Sequence, residues 1–417
     1  PILGTKINTK TMQSEGYTVP IVRLFPEDHG WERFGEYNDN VFLQPFIEGP
    51  WMTKHNGKYY MQYGAPATEF SGYSDGVYVS NDPLVRFEYQ SHNPFSYKPG
   101  GFARGAGHGA TFEDNYGNYW HISTIFISVK NNFERRIGIW PAGFDKDDVM
   151  YCNTAYGDYP TLLPEFSQEK DFSKGLFAGW MLLNYQKPIQ VSSTLGGYQA
   201  NFAVDEDIKT YWSAASGEKG EWFQTDLGDV STIYAIQINY ADQDVEFKGK
   251  TLGKFHQYKI YGSNDGKKWN VIVDKSSNTN DVPHDYVELK TPAKSRYLKI
   301  ENIKMPTGKF ALSGFRVFGK GAGSEPEKVE DFIVLRSSPE KYGERRSIWF
   351  KWQQNSLADG YVIYWGKSPD KMYGSIMVYG KNEYFFTGAD RTDAYYFQIE
   401  AFNANGISER TKVVKSD

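Results

Sequence analysis

Short stretches in which apolar and polar residues nearly alternate recur along the whole chain, separated by Gly, Asn, Asp and Pro. Residues 58–63, 119–123 and 234–240 are examples, and such alternation predicts β-strands with one buried face. Asn56 with Gly57, and Gly117 with Asn118, lie between stretches of this kind. They predict tight hairpin turns, because these residue types adopt positive φ readily. Helical periodicity is almost absent, so the pattern predicts an all-β chain.

Composition narrows the class of protein further. Aromatic residues make up 17% of the 417 residues, beside 41 glycines and 19 prolines, which suits short strands joined by tight turns. The formal net charge of −5 argues against a nucleic-acid partner, which needs a basic face. No apolar run approaches the about 18 residues of a membrane span. The single cysteine, Cys152, excludes an intramolecular disulfide.

Residue composition divides the chain into three units. Residues 1–165 are dense in Gly, Pro and aromatic residues, and a stretch at 166–186 reads as a linker. Residues 187–320 form a second strand-rich unit, the Gly- and Pro-containing segment 321–327 marks a boundary, and residues 328–417 form a third. The chain has no initiator Met and no apolar leader, so we expect an export signal to be removed or to lie upstream.

The first unit resembles glycoside hydrolase family 43. The resemblance rests on Glu48-Gly49-Pro50 followed by the stretch 58–63, and on Gly107-His108-Gly109 followed by the stretch 118–120. It implies a five-bladed β-propeller, of which only the C-terminal part fits the residues available. The blades that carry the family's Asp general base and its second Asp have no counterpart here. We expect an upstream segment to carry them, and otherwise the chain alone is catalytically incomplete.

The other two units also resemble known modules. Residues 187–320 look like a discoidin-type (coagulation factor 5/8 C-like) jelly roll, through the segments 222–228, 258–266 and 296–300. Residues 328–417 resemble a fibronectin type III sandwich, with Trp352 as the core Trp and Tyr395 or Tyr396 as the corner Tyr. The third unit reads as a spacer or a support.

Glu48 is the candidate general acid. Cleavage of a glycosidic bond needs a protonated carboxyl at the leaving oxygen and, in an inverting enzyme, a second carboxylate that activates water. Phe46, Ile47, Pro50 and Trp51 can exclude water from Glu48, which favours the protonated form. Outside such a motif, a lone Glu is most often a solvated surface residue.

Five further residues are candidates for binding. Trp51, Tyr63 and Trp140 can stack on sugar rings, although rings in so aromatic a chain mostly fill cores. Strand alternation turns one of Arg135 and Arg136 inward, and the resemblance favours Arg136 near the sugar, with a surface ion pair as the alternative. The resemblance also directs His108 to the propeller axis, where it contacts a metal, commonly calcium, directly or through water. The alternative is a buried His bonded to a backbone carbonyl.

A second calcium position follows from the discoidin resemblance. Asp205, Asp207 and Thr210 lie in the loop where that family often binds a structural calcium. Relatives frequently have a Glu in place of Gly314 to complete the cation shell, and this chain lacks it. The missing carboxylate argues against calcium at this loop, and the role expected of any calcium in the chain is structural.

These features lead to two hypotheses of function. The first is an inverting glycosidase that removes arabinose, xylose or galactose from plant-type polysaccharide, as the family resemblance implies. The second is a non-catalytic carbohydrate-binding protein with a degenerate propeller, which the missing base favours. Because large polysaccharides do not enter cells intact, family analogy predicts a secreted, periplasmic or bacterial cell-surface protein with a polysaccharide or oligosaccharide as partner.

Overall fold

The computed structural model of the chain describes residues 1–126, 135–168, 171–246, 253–337 and 346–416. Across these residues the secondary structure consists of β-strands and three short 3-10 helices, Gly30–Glu32, Phe172–Lys174 and Ala200–Ala203. The all-β prediction is therefore confirmed. Within the described ranges, no helix has the length and apolar character needed to cross a membrane.

The first unit is built from consecutive antiparallel strands. They are β1 (Ile2–Ile7), β2 (Ser14–Val22), β3 (Glu48–His55), β4 (Lys58–Ala65), β5 (Ser74–Ser80), β6 (Glu88–Tyr89), β7 (Gly107–Glu113), β8 (Tyr119–Phe126), β9 (Arg135–Phe144) and β10 (Met150–Cys152). β1 pairs with β2, while β3 to β6 and β7 to β10 form two four-stranded sheets in sequence order. Such sheets are propeller-like, and they account for two blades.

The hairpin turns lie where the residue pattern predicts them. Asn56 and Gly57 have φ of 47° and 79° and join β3 to β4, and Gly117 has φ of 86° between β7 and β8. The two four-stranded sheets pack through a shared apolar cluster that includes Tyr60 and Trp140. This packing brings the start of β3 and the start of β7 together, as the next subsection describes.

The described part of the second unit is a β-sandwich of eight strands, two of which are 19 and 21 residues long. They are β11 (Met181–Leu182), β12 (Ile189–Val191), β13 (Trp212–Ser213), β14 (Trp222–Tyr240), β15 (Gln257–Ser263), β16 (Asn270–Asp274), β17 (His284–Lys304) and β18 (Ala311–Lys320). Hydrogen bonding follows the order β11, β18, β14, β17, β15, β16, with β12 added to β14 and β13 to β18. β11 comes from the stretch 166–186, so part of the predicted linker belongs to this sheet. Trp212 and Phe223 are fully buried in its core.

The third unit is a two-sheet sandwich. Its strands are β19 (Ile333–Arg336), β20 (Ile348–Lys351), β21 (Gly360–Gly366), β22 (Gly374–Tyr379), β23 (Glu383–Phe386), β24 (Tyr395–Asn403), β25 (Gly406–Ile407) and β26 (Val414–Ser416). β19, β20 and β23 form one sheet, and the other five strands form the second. Trp352 is buried in the core, and the Tyr395 hydroxyl accepts a hydrogen bond from the Asp390 N–H at 2.8 Å. The fibronectin type III resemblance stays a prediction.

A buried ionic network joins all three units. The Arg316 guanidinium of the second unit donates two hydrogen bonds to Glu206, at 2.9 and 2.8 Å, and one to the backbone oxygen of Asp158 in the first unit. Lys98 lies 3.1 Å from the Asp158 carboxylate, and the Tyr379 hydroxyl of the third unit donates to Glu206. Burial acts to raise the pKa of Asp158, but Lys98 and Arg316 outweigh it and the pKa lies below its usual value. The third unit is thus integrated with the others and is more than a spacer.

Candidate functional site

The local backbone of the β3 hairpin sets the position of Glu48. Glu48 is the first residue of β3 and pairs with Gly64 of β4, and a register shift separates it from Trp51. Gly49 has φ of 61°, and a Cβ built on it would lie 2.8 Å from the His108 ring and 3.0 Å from the His108 Cα. Only glycine combines that φ with so close an approach. The Glu-Gly-Pro sequence therefore lets the start of β3 lie directly against the start of β7.

Two side chains contact the Glu48 carboxyl group. The Tyr73 hydroxyl donates a hydrogen bond to Oε1 at 2.6 Å, and Nδ1 of His108 lies 3.7 Å from Oε2. Tyr73 is buried, and the pKa of its phenol is raised mainly by this burial and also by the hydrogen bond to Glu48. Tyr73 therefore remains a neutral donor that fixes one oxygen of Glu48.

The aromatic enclosure expected around Glu48 is not present. The side chain is 41% exposed, and Phe46 and Trp51 are themselves 60% and 43% exposed. His108 is also half-exposed, so the alternative of a buried His bonded to a carbonyl is wrong.

Asp75 is a site residue that the sequence pattern does not indicate. Its carboxylate is fully buried and accepts hydrogen bonds from the backbone N–H groups of His108 and Gly109, both at 2.8 Å. Nε2 of the buried His121 lies 3.2 Å from Asp75 Oδ2. Asp75 therefore holds the His108 backbone, which has φ of 54°. No motif in the sequence indicates this role, because Asp75 lies between Ser74 and Gly76 in an otherwise ordinary strand pattern.

A groove of about 490 Å³ opens beside Glu48 and His108. Its wall includes His108, Trp51 and Ile137, and Ile137 is 72% exposed. The Trp51 ring is held in place because its Nε1–H donates to the backbone oxygen of Thr111 at 2.8 Å. An ordered, partly exposed indole beside a carboxyl group and an imidazole is suited to binding a sugar ring through its apolar face.

The other predicted sugar contacts lie elsewhere. Tyr63 is fully buried and its hydroxyl donates to Glu32, and Trp140 is buried with its Nε1–H donating to Ser123. Both rings fill cores, so neither presents a face to the groove. The correction has a simple cause, because strand alternation predicts a buried face without telling which cavity that face borders.

The two arginines of β9 are arranged opposite to the prediction. Arg135 is half-buried, donates to the Thr68 hydroxyl and acts electrostatically on Tyr73, the partner of Glu48. Arg136 is exposed, donates to the Arg135 backbone oxygen and acts electrostatically on His284 of the second unit. The inward arginine is therefore Arg135.

The predicted calcium loop is satisfied by protein groups. Asp205 accepts hydrogen bonds from the Thr210 hydroxyl at 2.7 Å and from the Asp207 N–H at 3.0 Å, and burial raises its pKa. Asp207 lies 3.3 Å from the Arg104 guanidinium of the first unit. A Cβ on Gly314 would lie 2.6 Å from the Phe102 ring, so the position that bears Glu in relatives is closed by the first unit.

These contacts leave this donor set a poor fit for calcium, a hard cation that takes six to eight oxygen ligands. Across the described ranges, no three or more His, Cys, Asp and Glu side chains are grouped to hold a metal ion. Calcium at His108, directly or through water, stays a prediction.

Comparison with protein families identifies two matches. Residues 31–150 match the model of Glycosyl hydrolases family 43, and residues 188–314 match that of the F5/8 type C domain. No curated protein matches the chain. Together the two family matches support a glycoside hydrolase or carbohydrate-binding role, with carbohydrate as ligand.

Among solved structures, a "Glycoside hydrolase" is 18% identical over 75% of this chain and 65% of its own, with a TM-score of 0.39. This chain thus spans less than two thirds of that relative. Chitosan-binding module 1 from the chitosanase/glucanase of Paenibacillus sp. IK-5 is 22% identical over 33% of this chain and 99% of its own, with a TM-score of 0.28. The family 32 CBM of C. perfringens NanJ, in complex with galactose, is 18% identical over 33% and 98%, with a TM-score of 0.28.

Proposed function

We propose that the protein is an inverting glycoside hydrolase in which Glu48 is the general acid. The observation that carries the proposal is the position of its carboxyl group, held by Tyr73 beside the groove that Trp51 and His108 line. The match of residues 31–150 to family 43 supports the reaction class. The sugar removed is arabinose, xylose or galactose from a plant-type polysaccharide, and the protein acts outside the cytoplasm.

In this proposal the chain's own residues divide the work. Protonated Glu48 gives its proton to the leaving oxygen as the glycosidic bond breaks, and water attacks from the opposite face. Tyr73 keeps Glu48 Oε1 in place, and Asp75 keeps the His108 backbone in place. Trp51 provides a stacking surface for a sugar ring. A second carboxylate, from outside the described contacts of Glu48, activates the water.

The test is hydrolysis of neutral arabino-, xylo- and galacto-oligosaccharides by the full natural chain. Glu48→Gln should lower kcat by about 100-fold or more, because the amide cannot donate that proton in the same way. Glu113→Gln, at the exposed end of β7, is the matched control and should retain activity. NMR of the first product formed should show the anomer opposite to that of the substrate. Equal rates for Glu48→Gln and wild type would refute the assignment.

A second candidate function is carbohydrate binding without catalysis. The observation that favours it is the 41% exposure of the Glu48 side chain, which lacks the aromatic enclosure that would favour its protonated form. It predicts that the full natural chain binds these oligosaccharides and hydrolyses none of them. In that case Glu48→Gln would leave the binding affinity unchanged.

A further inference from the structure

A second cavity of about 420 Å³ lies where the end of the first unit meets the third unit. Its lining includes Tyr156 of the first unit and Phe177 of the 166–186 stretch, together with Tyr364, Glu400 and Arg410 of the third unit. It shares no lining residue with the groove beside Glu48. Its volume is in the range typical of small-molecule sites, which often form between packed units.

The polar groups of this cavity are fixed in place by Glu400. The Glu400 side chain is 6% exposed, and its Oε1 accepts hydrogen bonds from the hydroxyls of Tyr156 and Tyr364, both at 2.9 Å. Its Oε2 accepts from Arg410 Nε at 2.9 Å. Burial raises the pKa of both phenols, so they stay neutral donors. Three groups from two units are thus held by one buried carboxylate.

Arg410 presents a rigid donor group. Its guanidinium carbon lies 3.5 Å from the centre of the Tyr364 ring, and its Nε is held by Glu400. The side chain is 43% exposed, so its remaining N–H groups are within reach of a ligand. A guanidinium fixed by stacking and by an ion pair loses little conformational entropy when it binds.

The rest of the lining combines apolar rings with balanced charge. Phe177 stacks on Tyr156, with ring centres 4.6 Å apart, and Tyr373 is anchored by its hydroxyl bond to Asp145. Among the lining residues, the cations Lys174 and Arg410 are matched by the anions Asp370 and Glu400. Fixed rings with donors and acceptors but no net charge suit a neutral, hydroxyl-bearing ligand that has an apolar face.

We propose that this cavity is a non-catalytic binding site for a neutral saccharide. The choice of a saccharide rests on the proposed function, whereas the cavity and its fixed polar groups do not. The hydroxyls of the sugar accept from Arg410 and donate to the lining oxygens, and its C–H face packs on the partly exposed rings of Phe177 and Tyr373. The site holds a second part of the polysaccharide at a distance from Glu48.

The experiment measures binding of neutral xylose, arabinose and galactose tetrasaccharides to the full chain carrying Glu48→Gln, by calorimetry. Met372→Trp fills the cavity from its rim and leaves the Glu400 contacts intact. Arg410→Met removes the donors and keeps a side chain over Tyr364. The controls are Met12→Trp and Arg86→Met, both at exposed positions of the first unit.

Because the groove beside Glu48 can bind the same probes, the readout is the separate binding event of the cavity. Both cavity variants should weaken one calorimetric binding event of at least one tetrasaccharide by about tenfold or more, and both controls should leave every event unchanged. Persistence of every binding event at undiminished affinity in Met372→Trp, or no binding of any of the three probes, would overturn the proposal. Stronger, variant-sensitive binding of a uronic-acid tetrasaccharide would overturn the neutral class. Absence of hydrolysis by the wild-type chain would refute only the enzyme assignment. The cavity proposal would be unaffected, because it is tested by measuring binding.

Discussion

Tyr73 contributes to the site as a hydrogen-bond donor rather than as a reacting group. Its ring is packed so closely that a Cβ on the neighbouring Gly107 would lie 2.7 Å from it. A buried phenol with one partner has one orientation, and that orientation fixes Glu48 Oε1. Orientation of a catalytic group by a fixed neighbour is a recognised source of rate, since small displacements lower it steeply.

Tyr73→Phe should therefore lower kcat by about tenfold while KM changes little, because one hydrogen bond to a carboxyl is lost and the ring remains. The matched control is Tyr78→Phe, whose hydroxyl makes only a long 3.5 Å bond to the Arg23 backbone oxygen. Steady-state kinetics on one oligosaccharide separates the two constants. A loss confined to KM would show that Tyr73 binds substrate instead of positioning Glu48.

The elements that build the site are two hairpins whose starts touch. β3 supplies Glu48 and Gly49, and β7 supplies His108 and Gly109, with Asp75 of β5 bonded to the β7 backbone. Neither start is a regular strand, since register shifts follow Glu48 in β3 and Gly107 in β7. The motifs Glu48-Gly49-Pro50 and Gly107-His108-Gly109 therefore fit closely against each other.

Gly49→Ala tests that complementarity. It should lower the free energy of unfolding by about 2 kcal/mol or more, through the strained φ and the clash with His108. Gly57→Ala also has positive φ, but its Cβ would meet nothing within 4 Å, so it should cost only about 1 kcal/mol. Urea unfolding measures both. Equal costs would mean that contact between β3 and His108 does not constrain the fold.

The strands and turns were predictable because they leave local patterns. Alternation indicated β4 and β8, and Asn56 with Gly57 indicated the hairpin between β3 and β4. Tyr73 and Asp75 were not predictable, because their partners lie 25 to 34 residues away and no spacing rule links them. Burial of Trp140 and Tyr63 was equally hidden, since aromatic residues in strands occupy both cores and binding sites.

At the scale of the whole molecule, the three units share buried polar and apolar contacts. Tyr97 of the first unit lies in the apolar core of the third, and Arg316 joins the first and second. The residue pattern predicted linkers at these junctions. It could not predict the packing, because the composition of a linker says nothing about the surfaces that it joins. Charged residues far apart in sequence form the junction, and only the fold pairs them.

Arg316→Met should destabilise the chain by about 3–5 kcal/mol, because it leaves Glu206 buried without its cation. The control, Arg296→Met, removes a partly exposed pair with Asp226 and should cost about 1 kcal/mol or less. The unfolding midpoints in urea measure the difference. Similar costs for the two variants would show that the buried network adds nothing to joining the units.

Acid should also weaken the junction between the first and third units. His92 stacks on Trp365 of the third unit, and burial lowers its pKa to about 3. Below about pH 6.5 the His92 imidazole is protonated in the unfolded state but stays neutral in the folded state. The free energy of unfolding therefore falls as the pH drops from about 6.5 toward about 3. For His92 alone the slope reaches about 1.4 kcal/mol per pH unit.

Replacement of His92 by Phe keeps the stacking and should flatten this pH dependence. The flattening is partial, because burial lowers the pKa of His256 and His284 to about 3 as well. His55→Phe, at a partly exposed position, should change the slope much less. Unfolding in urea at several pH values gives each slope, and an unaltered slope for His92→Phe would contradict the prediction.

The most direct test of proton donation by Glu48 is the dependence of the Glu48→Gln defect on the leaving group. The leaving oxygen of an oligosaccharide must be protonated as the bond breaks. An aryl glycoside of an acidic phenol releases a stable phenolate, which leaves without being protonated. The account predicts that, in the full natural chain, the variant's loss of kcat/KM is at least about tenfold larger for the oligosaccharide. The same loss for both substrates would contradict the assignment of Glu48 as the general acid.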